Sequence, residues 1–253
     1  MRADKDFAWP EGKRGAVSLT YDDGLPVHYT LVAPLLESNN LRGTFYPPIF
    51  SDLRLNPGRW QELAAAGHEL GNHMVFHPCR QANPDPYPWL EDRYDLASYT
   101  PAQFRAELEV ANLVLHLLDG QTERTFGNTC CDTTVGGGAL ETPMEPILKE
   151  IFLAARGRLT DRIASSVDAI DLLDIGCIPI DGRSLADLKQ LVHKVRESSS
   201  WAVLAIHGVG PEGHSLFLDE DVHAGFLAWL ADQTSVWTGP VRMIAQYLKT
   251  HRT

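Results

Sequence analysis

Two short motifs contain the residues with the clearest capacity for chemistry. Asp22 and Asp23 are adjacent carboxylates at the end of an apolar run. His73 and His77 are imidazoles four residues apart, about fifty residues further along the chain. One carboxylate and two imidazoles are a common ligand set for a catalytic divalent metal, usually zinc, with one position left for water. The second carboxylate would then be free to act as a base, so the pair of motifs predicts metal-assisted hydrolysis.

The surroundings of each motif indicate where its side chains would lie. The two aspartates precede Gly24 and are expected at the start of a βα loop, the end of a parallel strand where active sites are built. The i, i+4 spacing of His73 and His77 would place both rings on one side of a helical turn. Either motif alone is more often an ordinary turn or a pair of surface residues. Their joint occurrence favours one shared site.

Short apolar runs alternate with amphipathic stretches along the whole chain, which is typical of βα units around a mainly parallel sheet. Predicted strands cover 16–20, 43–46, 125–129, 152–156, 176–180, 202–207 and 235–237. Predicted helices cover 27–37, 58–66, 101–118, 144–150, a stretch starting at Ser184, 220–232 and 241–249. Thr100 and Gln103 form a capping box for the third of these helices. Seven strands alternating with helices favour one α/β domain over residues 1–253, folded as a deformed (β/α) barrel.

Charge and composition exclude several classes of partner. A formal net charge of −11 argues against nucleic acid or an anionic membrane, because both require a basic face. The 253 residues contain no apolar run of about eighteen or more, so no membrane span is expected. The first residues lack the apolar core of a signal peptide, and the chain is expected to be cytoplasmic as written, or secreted if a leader was removed. The oligomeric state stays open.

Four stretches carry a family resemblance. They are Thr-Tyr-Asp-Asp-Gly at 20–24, Gly-Thr-Phe-Tyr at 43–46, Gly-His-Glu-Leu-Gly-Asn-His-x-x-x-His at 67–77 and Val-Leu-Ala-Ile-His at 203–207. In these the chain resembles the polysaccharide deacetylase superfamily, the NodB homology domain of carbohydrate esterase family four. The clear match covers about residues 14–79 and 200–210. The middle of the chain is similar in layout more than in sequence.

The resemblance implies a role for each matched side chain. Asp23, His73 and His77 would bind one divalent metal, with Zn2+ expected and Co2+, Ni2+ or Mn2+ as alternatives. The metal would activate a water and polarise the acyl carbonyl. Asp22 would be the general base and His207 the acid that protonates the leaving group. The implied substrate is an acetylated carbohydrate, whose N- or O-linked acetyl group is removed as acetate.

One family motif is altered in this chain. The resemblance predicts an Arg that orients the base, and Gly127 stands at its position. Arg156 at another predicted strand end is a candidate replacement, although it could equally form a surface salt bridge. The backbone N–H of Cys130 would line the oxyanion hole, since a backbone donor does not depend on its side chain. The family's Asp that orients the catalytic His is not evident, and Asp171 and Asp174 are both candidates.

Further residues are candidates for substrate contact or for structural positions. Tyr87 and Trp89, in the Pro-rich loop 83–89, are predicted to stack on sugar rings, and His28 is predicted to touch substrate. The four cysteines match neither a zinc ribbon nor a CxxC motif and are expected to be buried thiols, with a Cys79–Cys130 link left open. Four other residues are assigned by default to the core, to structural hydrogen bonds or to solvent: Trp60, His68, His214 and His223.

Two other functions compete with a deacetylase. Relatives of this fold cleave C–N bonds in cyclic amides or imides, some without a metal, and the intact set Asp23, His73 and His77 argues against a metal-free route. A non-catalytic carbohydrate-binding protein is the other alternative, supported only by the altered motif. The presence of Asp22 and His207, which metal binding does not require, argues against it.

Overall fold

A curled parallel sheet lies at the centre of the computed structural model, which describes residues 7–82 and 84–252. The strands are β1 (Ala16–Asp22), β2 (Thr44–Tyr46), β3 (Glu69–Leu70), β4 (Thr125–Gly127), β5 (Thr134–Val135), β6 (Thr142–Pro143), β7 (Ala154–Leu159), β8 (Ile175–Pro179), β9 (Trp201–Ile206), β10 (Gly208–Val209), β11 (Phe217–Leu218) and β12 (Trp237–Thr238). The helices are α1 (Ala33–Ser38), α2 (Pro57–Ala65), α3 (Pro101–Asp119), α4 (Glu145–Ile151), α5 (Leu185–Ser198), α6 (Glu220–Ala231) and α7 (Val241–His251).

The main sheet has the strand order β3-β2-β1-β9-β8-β7-β4, with β12 beside the start of β1. Every pairing in it is parallel. A parallel bridge between Asn72, just beyond β3, and Phe126 of β4 joins the two edges of the sheet. The sheet is therefore a deformed (β/α) barrel, and the predicted fold class is confirmed.

The centre of the sheet brings two predicted site residues to one edge. β1 pairs with β9 from Ala16 and Trp201 up to Tyr21 and Ile206. The next residue on each strand is a candidate catalytic residue, Asp22 on β1 and His207 after β9. Because parallel strands end at the same edge of a sheet, both side chains arrive at the carboxyl end of the barrel.

The helices pack around the sheet through apolar faces. α3 begins with the predicted capping box: the Thr100 side chain accepts from the Gln103 N–H and the Gln103 side chain accepts from the Thr100 N–H. Strand β1 is buried along its whole length, and its apolar side chains pack in the main core with those of α5 and α6. No helix within residues 7–82 and 84–252 is long and apolar enough to cross a membrane.

Several elements differ from the sequence-based expectation, among them five short strands that were not predicted: β3, β5, β6, β10 and β11. β3 was not predicted, because it has two residues and begins with Glu69. That buried carboxylate accepts hydrogen bonds from the Thr44 and Thr125 hydroxyls at 2.8 and 2.5 Å, so polar side chains fix this edge of the barrel. The single helix predicted at 27–37 is instead a π-helical segment, His28–Val32, followed by α1.

Candidate metal centre and active site

The adjacent aspartates at the end of β1 face different partners. Asp22 is the last residue of the strand, and Asp23 follows with a φ of 73°. The left-handed conformation costs little for Asp compared with a branched residue. Asp22 contacts Arg156, whereas Asp23 contacts the two histidines of the second motif. The chain thereby separates a candidate base from a candidate metal ligand within two residues.

Asp23, His73 and His77 converge as the sequence predicts. Oδ1 of Asp23 lies 3.2 Å from Nε2 of His77 and 3.6 Å from Nε2 of His73. This oxygen is buried and has no hydrogen-bond partner in the part of the chain that the structure describes. The three side chains place one ligand atom each within 4.8 Å of the others. A buried carboxylate oxygen without a donor, facing two imidazole nitrogens, fits a divalent metal.

The hydrogen bond at the far side of His73 prepares its ring for ligation. Nδ1 lies 2.6 Å from the carbonyl oxygen of Gly127, which can only accept, so Nδ1 carries the proton and donates. Nε2 then presents its lone pair toward Asp23. Burial lowers the pKa of His73, although the neighbouring aspartates oppose that effect. The hydrogen bond from Nδ1 and the burial of the ring both favour the neutral form of His73, which is the form that binds a metal.

The histidines do not lie on a helix, which corrects the sequence-based expectation. Residues 73–77 form an irregular loop after β3, with φ of 66° at Met74 and 55° at His77. Two side chains replace the helical hydrogen bonds: Glu107 of α3 accepts from the N–H groups of residues 75 and 76, and Asn72 accepts from that of Met74. The ring centroids of the two histidines are 4.8 Å apart in this loop.

Arg156 forms a buried ion pair with Asp22. Nη1 and Nη2 donate to the two carboxylate oxygens at 2.8 and 2.6 Å, and Arg156 is 1 % exposed, so a surface salt bridge is excluded. Burial by itself would raise the pKa of Asp22, but the charge and hydrogen bonds of Arg156, helped by His73, hold that pKa below its usual value. Asp22 is therefore kept ionised.

The glycine in the altered motif has a steric cause. A Cβ atom at Gly127 would lie 2.9 Å from Cγ of Tyr46, so the tyrosine ring occupies the space that a side chain would need. The guanidinium carbon of Arg156 lies 4.9 Å from the centroid of that same ring. β7 pairs with β4, so Arg156 reaches the candidate base Asp22 from the strand next to the one that carries Gly127.

Asp181 orients His207, a role for which the sequence suggested Asp171 or Asp174. One carboxylate oxygen of Asp181 accepts from Nδ1 of His207 at 2.7 Å and the other from its backbone N–H at 3.0 Å. Asp171 instead accepts from the N–H of residue 173, and Asp174 pairs with the guanidinium of residue 158. Burial would lower the pKa of His207, but the bond to Asp181 and the charges of the two strand-end aspartates raise it to about 9.

A disulfide between Cys79 and Cys130 connects the histidine loop to the altered motif. The expectation of free thiols was wrong for these two cysteines and right for the buried Cys177, while Cys131 is free and partly exposed. The disulfide anchors Cys130, which has a φ of 49°. The backbone N–H of this residue is the predicted oxyanion donor. The Thr129 hydroxyl, which donates to the carbonyl of Pro78, links the same two segments.

The predicted substrate residues divide into two groups. Trp89 is 55 % exposed, its ring centroid lies 5.8 Å from that of His77, and it stacks on Tyr87 at 5.3 Å. His28 cannot touch substrate, which corrects that prediction, because it is fully buried and its Nε2 donates to the carbonyl oxygen of His207 at 2.8 Å. Burial lowers the pKa of His28 to about 4, so its ring is neutral.

Four residues were assigned by default to structural or solvent-exposed positions, and the structure places two of them as expected and two differently. Trp60 is fully buried and His68 is bonded to the backbone of Gly43, as expected. His223 is buried rather than exposed, and its Nε2 lies 3.0 Å from the hydroxyl of Tyr21. His214 faces the site, with Nε2 3.4 Å from Oδ2 of Asp23.

A signal for one of the missed site residues is present in the sequence. Asp181 directly follows the predicted strand 176–180, which gives it the same strand-end position as Asp22. For His214 no comparable signal exists, because it lies in the loop between β10 and β11, several residues beyond the end of β9.

Residues 10–129 match the family model described as polysaccharide deacetylase. The chain is therefore similar to polysaccharide deacetylases over a little under half of its length. This match contains Asp22, Asp23, His73 and His77, the residues that the barrel brings together at its carboxyl end.

Solved structures of similar proteins share the fold of this chain. A candidate polysaccharide deacetylase from Mycobacterium smegmatis is 16% identical, covers 96% of this chain and 92% of its own, and has a TM-score of 0.62. A family 4 acetyl xylan esterase from Clostridium thermocellum, in complex with a cobalt ion, is 16% identical with a TM-score of 0.56. That comparison covers 92% of this chain and 91% of the esterase.

A curated protein is also similar to this chain. Gellan lyase from a Bacillus species is 25% identical over 224 residues, which is 81% of this chain. The chain spans only 8% of the length of that protein.

Proposed function

We propose that this protein is a metal-dependent hydrolase that removes acetyl groups from a carbohydrate. Three groups of side chains converge at one edge of the barrel, and this convergence is the observation that carries the proposal. They are the ligand set of Asp23 with two histidines, the Asp22–Arg156 ion pair and the His207–Asp181 pair. A metal site, an ionised base and a protonated acid are the parts that hydrolysis of an amide or ester needs.

The metal site is assigned to Asp23, His73 and His77, and Zn2+ is the ion that two imidazoles and a carboxylate suit best, with Co2+, Ni2+ or Mn2+ as alternatives. When bound, the ion would lower the pKa of a water molecule and polarise the acyl carbonyl. The fixed proton on Nδ1 of His73 and the donor-free oxygen of Asp23 support this assignment.

The proton transfers are assigned to Asp22 and His207. Asp22, held ionised and oriented by Arg156, takes a proton from the attacking water. His207 is held by Asp181 so that Nε2 is the free ring nitrogen, and its raised pKa keeps a proton there to give to the leaving amine or alcohol. The backbone N–H of Cys130 is the proposed donor to the oxyanion.

We assign acetylated carbohydrates as the substrate class. Flat apolar faces of sugar rings pack on aromatic rings, and the exposed Tyr87–Trp89 stack lies beside His77. The names of the similar proteins, an acetyl xylan esterase and a gellan lyase, agree with a carbohydrate. The net charge of −11 argues against nucleic acid as a partner. The disulfide is typical of proteins in oxidising compartments and favours the secreted alternative.

A non-catalytic carbohydrate-binding role has lost its only support. It depended on the altered motif, and Arg156 supplies the charge that Gly127 cannot. No observation favours hydrolysis of a cyclic imide.

The proposed function is tested by acetate release from a panel of N- and O-acetylated sugars, with a cyclic imide as the competing substrate. Wild type should release acetate and leave the imide ring closed. Asp22→Asn should keep its metal but lose about 10²-fold or more of kcat, since a general base contributes about 10²–10⁴-fold. The exposed Asp168→Asn is the matched control and should behave like wild type. Imide opening without acetate release would refute the proposal.

A further inference from the structure

His214 occupies the side of Asp23 that the two ligand histidines leave open. Oδ1 of Asp23 faces His73 and His77, whereas Oδ2 lies 3.4 Å from Nε2 of His214. The His214 ring also stacks on His207, with 5.0 Å between centroids and 6° between ring planes. One ring therefore touches both the metal ligand and the proposed acid.

The neighbours of the two ring nitrogens of His214 together indicate which of them carries the proton. Nδ1 lies 3.0 Å from the N–H and 2.9 Å from the carbonyl oxygen of Leu216. These two contacts allow Nδ1 either to accept or to donate, so they are compatible with a proton on either ring nitrogen. The contact with Asp23 decides between them, because a proton on Nδ1 alone would place the Nε2 lone pair against a carboxylate oxygen, which can only accept, whereas a proton on Nε2 faces that oxygen. His214 is thus a donor to Asp23 and has no lone pair there for a metal.

We propose that His214 is a positioning residue of the metal centre, which holds Oδ2 of Asp23 and so leaves Oδ1 alone to bind the metal. This inference rests on the proposed metal-dependent function. A carboxylate restricted to one oxygen keeps a coordination position free for water or substrate. Hydrogen-bond partners of metal ligands typically contribute about 10–100-fold to metal affinity.

Two near-isosteric variants separate the contact with Asp23 from the contact with Leu216. In His214→Gln the amide nitrogen reaches the place of Nε2 and can donate to Asp23. In His214→Asn the shorter amide reaches only the place of Nδ1, beside Leu216. We expect Zn2+ affinity within about threefold of wild type for His214→Gln and about 10–100-fold weaker for His214→Asn and His214→Ala.

The affinity is measured as a Kd in competition with a chromophoric chelator, without substrate, and the visible spectrum of the Co2+-loaded proteins reports the coordination. His116→Ala on the exposed face of α3 is the control and should match wild type. Unchanged affinity in His214→Ala, or equal weakening in the Gln and Asn variants, would overturn the inference while leaving the proposed function intact. Wild type that binds Zn2+ with the expected variant order but releases no acetate would overturn the function alone.

Discussion

At the scale of single residues, the proposed chemistry depends on the contact between Asp22 and Arg156. Both are almost fully buried, and their charges compensate each other there. Removal of one partner from a buried ion pair leaves an uncompensated charge, which is more damaging than loss of the pair's own attraction. The arginine thus has two effects: it keeps the base ionised and it makes that buried charge tolerable.

Arg156→Met should reduce kcat by at least about 10-fold and lower the free energy of unfolding by about 3–5 kcal/mol, because Asp22 loses the guanidinium that donates to both of its carboxylate oxygens. The acid limb of the pH profile should move to higher pH, since Arg156 no longer holds the pKa of Asp22 down. Metal content should persist. Arg158→Met, at an exposed arginine two residues away on the same strand, is the control. A wild-type pH profile in Arg156→Met would contradict this role.

The hydrogen bond from His207 to Asp181 predicts the alkaline limit of activity. An acid must be protonated to act, so activity should fall as pH rises through the pKa of His207, which is raised to about 9. Asp181→Asn removes a contribution that raises this pKa, and the alkaline limb should therefore move to lower pH. The pH dependence of kcat is the measurement. An alkaline limb that stays in place in Asp181→Asn would show that His207 is not the titrating acid.

Residue types and spacing were sufficient to predict that Asp22, Asp23, His73, His77 and His207 lie together at one edge of the sheet, while their roles stay predictions. They were not sufficient for His28, because the burial of a side chain at the start of a π-helical segment cannot be inferred from its proximity to the aspartates in sequence. Tyr46 explains the altered motif only in three dimensions, since its ring fills the space beside Gly127 from a strand about eighty residues earlier.

At the scale of elements, the loop 72–77 shows why a histidine spacing does not specify a helix. Its N–H groups find acceptors on Asn72 and on Glu107, and the latter belongs to α3, about thirty residues later in the chain. Because those acceptors satisfy the backbone, the loop can take left-handed conformations at Met74 and His77. Both histidine rings reach the metal site from this irregular loop.

Glu107→Ala should leave the N–H groups of residues 75 and 76 without an acceptor and loosen the ligand loop. The expected cost is about 1–3 kcal/mol of unfolding free energy, together with weaker Zn2+ binding. Glu109→Ala on the same helix is the matched control, since its side chain is exposed and pairs with Arg105 at the surface. Thermal denaturation and chelator competition give the two readouts. Equal effects in the two variants would refute a specific role for Glu107.

The Cys79–Cys130 disulfide should stabilise the same part of the site. It joins residues 51 apart in sequence, and closure of a loop of that size contributes about 4 kcal/mol in the chain-entropy model. Cys79→Ser combined with Cys130→Ser should therefore unfold at lower denaturant concentration and bind Zn2+ more weakly. Cys131→Ser, at a free and partly exposed thiol, is the control. A double variant as stable as that control would contradict this account.

At the scale of the whole molecule, the alternation of strands and helices predicted a parallel sheet and a deformed barrel. Closure of the sheet could not be predicted, because it depends on the two-residue strand β3 and on one bridge between Asn72 and Phe126. The buried contacts of Glu69 with two threonine hydroxyls hold that edge, and no apolar run marks it. The apolar runs in the sequence predicted β1 and β9 most directly, and these two strands form the longest pairing in the sheet.

The central claim is that one divalent metal held by Asp23, His73 and His77 is required for deacetylation. Elemental analysis of purified wild type and His77→Ala, with acetate release measured on the same samples, tests it most directly. The account predicts close to one metal ion per wild-type chain, and loss of both metal and acetate release in His77→Ala. Full acetate release from a metal-free sample, or an unchanged metal content in His77→Ala, would contradict it.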